Sequence, residues 1–300
     1  MSAPFRLALA QYPIEEIETF AAYEAKLTRW VGGMAQMGCE MLVFPEYAAM
    51  ELARLAGREI AGDLTRSIAA MQSVLPEAEA LHAALAQQHG MYILGGSAPV
   101  AQSDGSYRNT ARFYAPSGAS EIQHKIMMTR FESERWGISA GTQQRVFDTA
   151  HGKIGVAICF DVEFPLVVRA LVEAGAELIV APSCTDHAKG HWRVQRGAQA
   201  RALENQCFVA TAPTVGTADW SEAVDVNVGF AGVYGPPDHG FPDDGVIVQG
   251  PMNAPLCVRS EIDFALVNAV RTEGKVFTHA SWSKQPGASL LPKPDIVVLR

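Results

Sequence analysis

The feature that most constrains the fold is a series of short apolar runs that recur along the whole chain. Continuous runs of this length are typical of strands covered on both faces, since a strand with one face in water alternates apolar and polar residues. The runs are residues 7–11, 41–45, 92–96, 111–115, 154–159, 177–182, 207–212 and 246–249.

Amphipathic stretches lie between several of these runs. Apolar residues from Ile17 to Met34 fall at helical spacing before Gly38, and residues 76–89 begin with Pro and are followed by Gly90. Proline in a first turn and glycine after a last turn are typical of helix ends. Further helices are predicted over residues 164–174 and about 192–204. Strands that alternate with helices predict an α/β protein.

Two segments suggest an internal repeat. The stretch from Met41 to Glu46 and the stretch from Leu178 to Ser183 each follow a predicted helix, and each is preceded by a glycine and an acidic residue. Two similar halves are therefore predicted. No linker rich in Gly, Ser and Pro separates them, and the most irregular segment is a turn-rich loop at residues 234–245, which suits a surface excursion or a binding loop.

Charge and cysteine content exclude several classes of function. The 300-residue chain has 24 Lys and Arg against 32 Asp and Glu, and no window collects the basic residues that binding to phosphates requires, so neither nucleic acid nor an anionic membrane is an expected partner. No apolar stretch is long enough to span a bilayer. The N-terminal residues are not typical of a signal or transit peptide. Five widely spaced cysteines without a CxxC pair suit reduced thiols in the cytoplasm and give no zinc knuckle.

Three residues stand where chemistry is possible. Cys159 ends a strand-like run just before a helix, a position that exposes a nucleophile beside a free backbone N–H, although the same run also suits a cysteine that only fills the core. Glu46 ends another run and is either a desolvated base or a helix-capping acid. Lys125 precedes three apolar residues and is either a snorkelling side chain or an electrostatic clamp in a pocket.

Together with their contexts, these residues resemble the nitrilase superfamily of carbon–nitrogen hydrolases. Three ordered blocks carry the resemblance: Leu42-Val-Phe-Pro-Glu46-Tyr47, His124-Lys125-Ile-Met-Met-Thr-Arg-Phe-Glu132, and Gly155-Val-Ala-Ile-Cys159-Phe-Asp-Val-Glu-Phe-Pro165. Gly190-His-Trp192 followed by residues 200–205 resembles the segment that builds the pocket wall in the family. The lysine block looks most like the subgroup that is sometimes fused to an acetyltransferase-like domain.

The resemblance implies a role for each residue. Glu46 is the general base, Cys159 attacks a carbonyl or nitrile carbon, and Lys125 stabilises the tetrahedral intermediate together with the backbone N–H of Phe160. Glu132 matches the second glutamate, which positions the lysine and the substrate; a plain salt bridge is its alternative, and Glu134 is the competing position. The implied reaction is hydrolysis of a small linear amide through a thioester, with a nitrile or an N-carbamoyl amide as alternative substrates.

The residues after the nucleophile limit the substrate. Some family members that bind carboxylate-bearing substrates have arginines shortly after the cysteine, whereas Val162 and Glu163 stand there in this chain. We therefore expect the pocket to disfavour anionic N-carbamoyl acids and to admit a neutral or amine-bearing amide. The other candidate substrate-binding residues are Tyr47, Trp136, Asp186, His187 and Trp192.

Other functions remain open from the sequence alone. His187 and His191 have the spacing of helix-borne zinc ligands, but the sequence between them lacks the inner glutamate of an HExxH motif, and Gly190 weakens a helix there. An isochorismatase-like amidase uses an aspartate early in a shorter chain, and a glutamine-amidotransferase turn needs a GxCxG pattern that residues 155–160 do not fit. A non-catalytic scaffold has no physical need for Glu46, Lys125 and Cys159 together.

The resemblance also implies an architecture. We expect a four-layer α-β-β-α sandwich of two pseudo-symmetric halves that associates as a homodimer or larger homo-oligomer, and neither a cofactor nor a metal is required. Because Glu46, Lys125 and Cys159 lie on both sides of any midpoint, the chain is predicted to be a single domain over residues 1–300, with a core over about 5–270 and a C-terminal tail over about 271–300.

Overall fold

The apolar runs form two β-sheets that pack face to face, in a computed structural model that describes residues 3–286 and 293–299. The first sheet contains β1 (Phe5–Pro13), β2 (Met41–Val43), β3 (Tyr92–Leu94), β4 (Ala98–Ala101), β5 (Tyr107–Tyr114), β6 (Ser120–His124), β7 (Ile138–Ser139) and β15 (Leu256–Ile262). The second contains β8 (Arg145–Asp148), β9 (Lys153–Val156), β10 (Leu178–Ser183), β11 (Phe208–Thr217), β12 (Val226–Asn227), β13 (Gly232–Tyr234), β14 (Val246–Gln249) and β16 (Asp295–Val298).

The two sheets share a topology, which confirms the predicted similarity of the halves. In the first sheet β1, β2 and β3 are parallel neighbours and β5 runs antiparallel to β3. In the second sheet β11, β10 and β9 are parallel neighbours and β8 runs antiparallel to β9. The sheets meet where the ends of β1 and β11 pair in parallel, with Tyr12 opposite Thr214.

Helices cover the outer faces of the sheets. They are α1 (Phe20–Gln36), α2 (Arg58–Ala61), α3 (Leu64–Met71), α4 (Leu75–His89), α5 (Pro165–Glu173), α6 (Ala188–Asn205), α7 (Phe264–Glu273) and α8 (Thr278–Ser281). The predicted helices are confirmed within a few residues, and Gly90 ends α4 with a φ of 61°, a left-handed conformation that glycine adopts without strain. None of the helices in the described residues could cross a membrane.

Alternate side chains of β1 separate the layers, as the period of a strand requires. Leu7 and Leu9 lie in the core between the sheets, whereas Ala8 and Ala10 face the layer formed by α1 and α4. Between the sheets the rings of Phe113 and Phe147 meet edge to face with centroids 5.1 Å apart. The fold is therefore the predicted α-β-β-α sandwich.

Two elements differ from the sequence prediction. The run at residues 246–249 forms β14, which is half-buried because it pairs only with β13 at the edge of the second sheet. In the C-terminal segment predicted as a tail, β16 pairs in parallel with β8, and the carbonyl of Leu299 accepts a hydrogen bond from the Tyr92 hydroxyl at 3.1 Å. These described residues of the segment thus complete the second sheet.

Candidate active site

Strand ends bring the predicted residues to one edge of the sandwich. Glu46 follows β2, Cys159 follows β9 and Cys184 follows β10, so each lies just beyond the carboxyl end of a parallel strand. Lys125 follows β6, which pairs with β5 in the first sheet, the sheet that also contains β2. Loops at the carboxyl ends of parallel strands are common positions for active sites because a rigid sheet fixes where each loop begins.

The ammonium of Lys125 lies between two carboxylates. Its Nζ is 2.8 Å from Oε1 of Glu46, and 2.8 Å and 2.7 Å from the two oxygens of Glu132. Only 1% of the Lys125 side chain is exposed. Burial alone would lower the pKa of this ammonium, but the two carboxylates raise it well above its usual range. Two carboxylates and one ammonium give these three side chains a net charge of −1.

Glu46 is held at both of its oxygens. Oε1 accepts hydrogen bonds from Lys125 and from Nδ2 of Asn109 at 2.9 Å, and Oε2 accepts the backbone N–H of Cys184 at 2.9 Å. Burial raises the pKa of Glu46 more than Lys125 lowers it. A carboxylate with a raised pKa in contact with a thiol is suited to proton transfer near neutral pH.

Glu132 has a different environment and a different protonation behaviour. It lies in a wide, π-type turn, Phe131–Trp136, and Oε2 accepts hydrogen bonds from the N–H and the hydroxyl of Thr129 at 2.9 and 2.8 Å. The Tyr47 hydroxyl donates to Oε1 at 2.7 Å. Burial raises the pKa of Glu132, but Lys125 and these hydrogen-bond donors lower it by more than burial raises it. The pKa of Glu132 is therefore depressed. The competing position, Glu134, is 55% exposed and pairs with Arg130 outside the cluster.

Cys159 begins a 3-10 turn, Cys159–Glu163, directly after the strand. Its φ of 71° is left-handed, a strained conformation for a residue with a Cβ and one typical of nucleophiles at sharp strand-to-helix turns. The thiol is buried, and Sγ lies 3.8 Å from the carbonyl oxygen of Cys184. Burial and the charge of Glu46 raise the pKa of the thiol well above its usual range. The resting thiol is therefore neutral, and a base must ionise it.

These side chains open into a cavity of about 350 Å³. Of the predicted residues, the lining includes Glu46, Tyr47, Lys125, Glu132, Trp136, Cys159, Phe160, Glu163, Asp186 and His187. Trp192 is the exception and corrects the prediction: its ring is 42% exposed and packs against Phe230 outside the cavity. Consecutive residues of a helix point about 100° apart, and in α6 it is the preceding His191 that is buried.

Comparison with known proteins identifies the family. Residues 6–238 match the family described as "Carbon-nitrogen hydrolase". The chain belongs to this family. As a member it is a hydrolase that acts on carbon–nitrogen bonds.

Relatives of this hydrolase include a bacterial and an amphibian protein. This chain is 32% identical over 276 residues to "Probable hydrolase YhcX" of Bacillus subtilis. The match covers 91% of this chain but 52% of that protein, so the chain spans about half the length of this relative. It is 28% identical to "Omega-amidase NIT2-B" of Xenopus laevis, covering 70% of this chain and 74% of that one. The fold matches yeast Nit3, a nitrilase-superfamily structure, with a TM-score of 0.68 and 20% identity over 90% of this chain and 93% of that one.

The histidine pair that suggested zinc binding is not carried on one helix. His187 precedes α6 as its N-cap in extended conformation, and its Nδ1 contacts Asp186. His191 is buried, and its ring centroid is 4.2 Å from that of Phe230. In the part of the hydrolase that the structure describes, no three His, Cys, Asp or Glu side chains are placed to hold a metal ion together.

Several contacts of the site were missed by the sequence analysis. Asn109, Thr129 and Cys184 contact the carboxylates of Glu46 and Glu132 through an amide, a hydroxyl and a backbone N–H. Nothing in their local sequence distinguishes them from ordinary strand or loop residues. Asp161 had a signal in the sequence, because it is a polar residue two positions after Cys159. Its buried carboxylate accepts the backbone N–H groups of Ile126, Met127 and Ile158, which are sequence neighbours of Lys125 and Cys159.

We expect Asp161→Asn to lower kcat by about 10- to 100-fold and the free energy of unfolding by about 1–3 kcal/mol. Every partner of the Asp161 carboxylate is a donor, so an amide NH₂ in its place loses at least one hydrogen bond and misplaces the lysine loop relative to Cys159. Steady-state kinetics and urea unfolding measure both effects. Asp63→Asn is the matched control, since Asp63 accepts two N–H groups at an exposed helix N-terminus where Asn caps equally well. Equal behaviour of the two variants would contradict the proposed role of Asp161.

Proposed function

We propose that this hydrolase cleaves a small amide through a covalent intermediate on Cys159. The observation that carries the proposal is the single buried cluster in which Lys125 joins Glu46 to Glu132 within reach of a strained, buried cysteine. A thiol of raised pKa is unreactive by itself, so a neighbouring base and a fixed positive charge are the groups that nucleophilic catalysis requires.

The proposed reaction begins with transfer of the thiol proton from Cys159 to Glu46. The thiolate attacks the amide carbon, and Lys125 together with the backbone N–H of Phe160 stabilises the oxygen that becomes negative. The amide nitrogen leaves as ammonia or an amine with the proton held by Glu46. Water then attacks the thioester with Glu46 again as base, releasing a carboxylic acid and the thiol. Glu132, with its depressed pKa, stays ionised and holds Lys125 in place.

Two relatives support an amide as the substrate. The Xenopus laevis protein is named as an omega-amidase, and the match covers 70% of this chain. A crystal structure of an amidase from Nesterenkonia sp. shares the fold, with a TM-score of 0.65 and 20% identity. The cavity of about 350 Å³ lies within the range of sites that bind small molecules.

The charge of the cavity wall supports a substrate without a free carboxylate. Among the described lining residues, each Lys or Arg side chain already has a carboxylate partner. Lys125 pairs with Glu46 and Glu132, while Nε of Arg193 is 3.3 Å from Glu163. Arg130 pairs with Glu134 at 2.8 Å. An anionic substrate would have to displace one of these pairs, whereas a neutral or amine-bearing amide would not.

Paired substrates test this preference. We expect kcat/KM for an uncharged amide to be at least about tenfold higher than for the matching compound that carries a carboxylate. The reason is that repulsion between the substrate carboxylate and a nearby carboxylate of the cavity costs about 1.4 kcal/mol or more at close range. Glu163→Gln frees Arg193 and should lower the ratio of the two kcat/KM values, and Glu59→Gln, whose carboxylate pairs with Arg66 outside the cavity, is the control. Faster turnover of an N-carbamoyl amino acid than of its uncharged amide would contradict the proposal.

A further inference from the structure

Asn109 lies at the centre of the buried cluster, although it carries no charge. It lies on β5 and its side chain is fully buried. Its Nδ2 donates to Oε1 of Glu46 at 2.9 Å and lies 3.4 Å from Oε1 of Glu132, and its backbone carbonyl accepts the N–H of Lys125 at 2.9 Å. One residue therefore contacts all three charged residues of the cluster.

The contacts form a ring of alternating donors and acceptors. Oε1 of Glu46 and Oε1 of Glu132 are each within hydrogen-bond distance of the same two nitrogens, Nζ of Lys125 and Nδ2 of Asn109. Two carboxylate oxygens that share only one ammonium would repel one another across it. A second donor between them offsets part of that repulsion without adding a positive charge.

The orientation of the Asn109 amide is fixed by this ring. If its oxygen and nitrogen exchanged places, the oxygen would face two carboxylate oxygens and both hydrogen bonds would be lost. In the present orientation Oδ1 of Asn109 is buried and has no partner in the described part of the chain. A buried oxygen without a partner is unfavourable, so the contribution of this side chain comes from its NH₂ group.

The ring makes the two oxygens of Glu46 unequal. A carboxylate oxygen accepts about two hydrogen bonds through its lone pairs. Oε1 already has Lys125 and Asn109, whereas Oε2 accepts the backbone N–H of Cys184, and the thiol of Cys159 is a further hydrogen-bond partner of the Glu46 carboxylate. Cys184 also contacts the thiol, since its carbonyl oxygen lies 3.8 Å from Sγ of Cys159. Oε2 of Glu46 and the thiol of Cys159 therefore both contact the backbone of Cys184.

We propose that Asn109 is a positioning residue that keeps Oε1 of Glu46 occupied by donors and so directs the thiol proton of Cys159 to Oε2. The proposal rests on the proposed function, in which Glu46 is the base. During attack the S–H bond of Cys159 breaks, its proton bonds to Oε2, and the sulfur electron pair forms the new bond to carbon. Asn109 is not among the residues that line the cavity, so it acts through the charged residues that it contacts.

Asn109→Leu removes the NH₂ group and keeps the approximate shape of the side chain. We expect kcat to fall by about 10- to 100-fold with KM within about threefold, because the base is misplaced while the cavity wall is unchanged. We also expect the acid limb of the kcat/KM profile to move up by about one pH unit, since an ionised carboxylate that loses a donor has a higher pKa. Asn109→Ser is the second variant, to be used if Asn109→Leu folds poorly. Its shorter side chain does not reach Glu46, so it should move the acid limb in the same direction.

Thr110→Val is the matched control on the same strand. Thr110 also has a buried side-chain hydrogen bond, but its hydroxyl contacts His124 and the carbonyl of Arg108 and neither carboxylate of the cluster, so its loss should leave the acid limb in place. Alkylation of Cys159 by iodoacetamide, followed over pH by mass spectrometry, reports the same titration without any substrate. If the pH profile of Cys159 alkylation shifts in the Asn109 variants but the wild-type protein hydrolyses no amide, the proposed function is overturned and the role of Asn109 is supported. An unshifted limb and an unshifted alkylation profile in both Asn109 variants would overturn the role of Asn109.

Discussion

Cys159→Ala is expected to abolish amide hydrolysis, with kcat reduced by about 10³- to 10⁶-fold, while the protein remains folded. The loss is large because the proposed thioester cannot form without the sulfur, and the remaining groups only bind and polarise the substrate. Ala occupies the same left-handed position as Cys159 and removes only the buried Sγ, so the strain at this turn is unchanged and the core loses little contact.

A second cysteine provides the control for this substitution. Cys257→Ala, on β15 and outside the cavity, should retain activity within about twofold. Ammonia release measures the activity of both variants, and near-UV circular dichroism measures their tertiary packing. A folded Cys159→Ala protein that keeps more than a few per cent of the wild-type rate would exclude a nucleophilic role for Cys159.

Lys125→Met is expected to abolish activity and to destabilise the fold by about 3–5 kcal/mol. Removing one partner of a buried ionic cluster leaves the others uncompensated, and here two carboxylates, Glu46 and Glu132, would remain side by side out of water. The oxyanion would also lose its nearest positive charge. Chemical unfolding measures the stability, and Lys189→Met, at an exposed position of α6, is the control with an expected change within about 0.5 kcal/mol.

The destabilisation should depend on pH in a definite direction. Without the ammonium, burial and mutual repulsion raise the folded-state pKa of Glu46 and Glu132 above their unfolded values, so the folded variant binds more protons than the unfolded chain. Its stability therefore rises as the pH falls, and its deficit relative to the wild type is greatest above neutral pH and smaller near pH 5. A deficit that is independent of pH would mean that the two carboxylates do not share Lys125 in solution.

Much of the fold could be predicted because it depends on local patterns. Apolar runs and helical spacing gave the strands and the long helices, since burial on both faces imposes its pattern on each strand separately. Glu46, Lys125, Cys159 and Glu132 were found because a family pattern places them in three ordered blocks, and the structure brings them into one cluster. β14 was predicted as a strand, but its partial exposure was not, because exposure depends on which strands lie beside it.

The remaining residues of the site depend on contacts between distant parts of the chain. Asn109 is 63 residues from Glu46, and Asp161 is 34 residues from Met127, so no local window contains either pair. Trp192 was placed in the pocket by its position in a motif, but the rotation of α6 turns its ring to the surface. Sequence patterns therefore predict which residues are chemically capable, while the packing of the two sheets decides which of them meet.

Trapping the covalent intermediate tests the central claim most directly. A small amide is mixed with the protein, the reaction is stopped with acid within the first turnovers, and the ammonia released and the mass of the Cys159 peptide are measured on the same sample. For an amide whose thioester is hydrolysed more slowly than it forms, the proposed mechanism predicts a burst of ammonia equal to the amount of protein and an acyl group on Cys159, both missing in Cys159→Ala. Sustained ammonia release with no acyl group on Cys159, or release by Cys159→Ala at the wild-type rate, would contradict it.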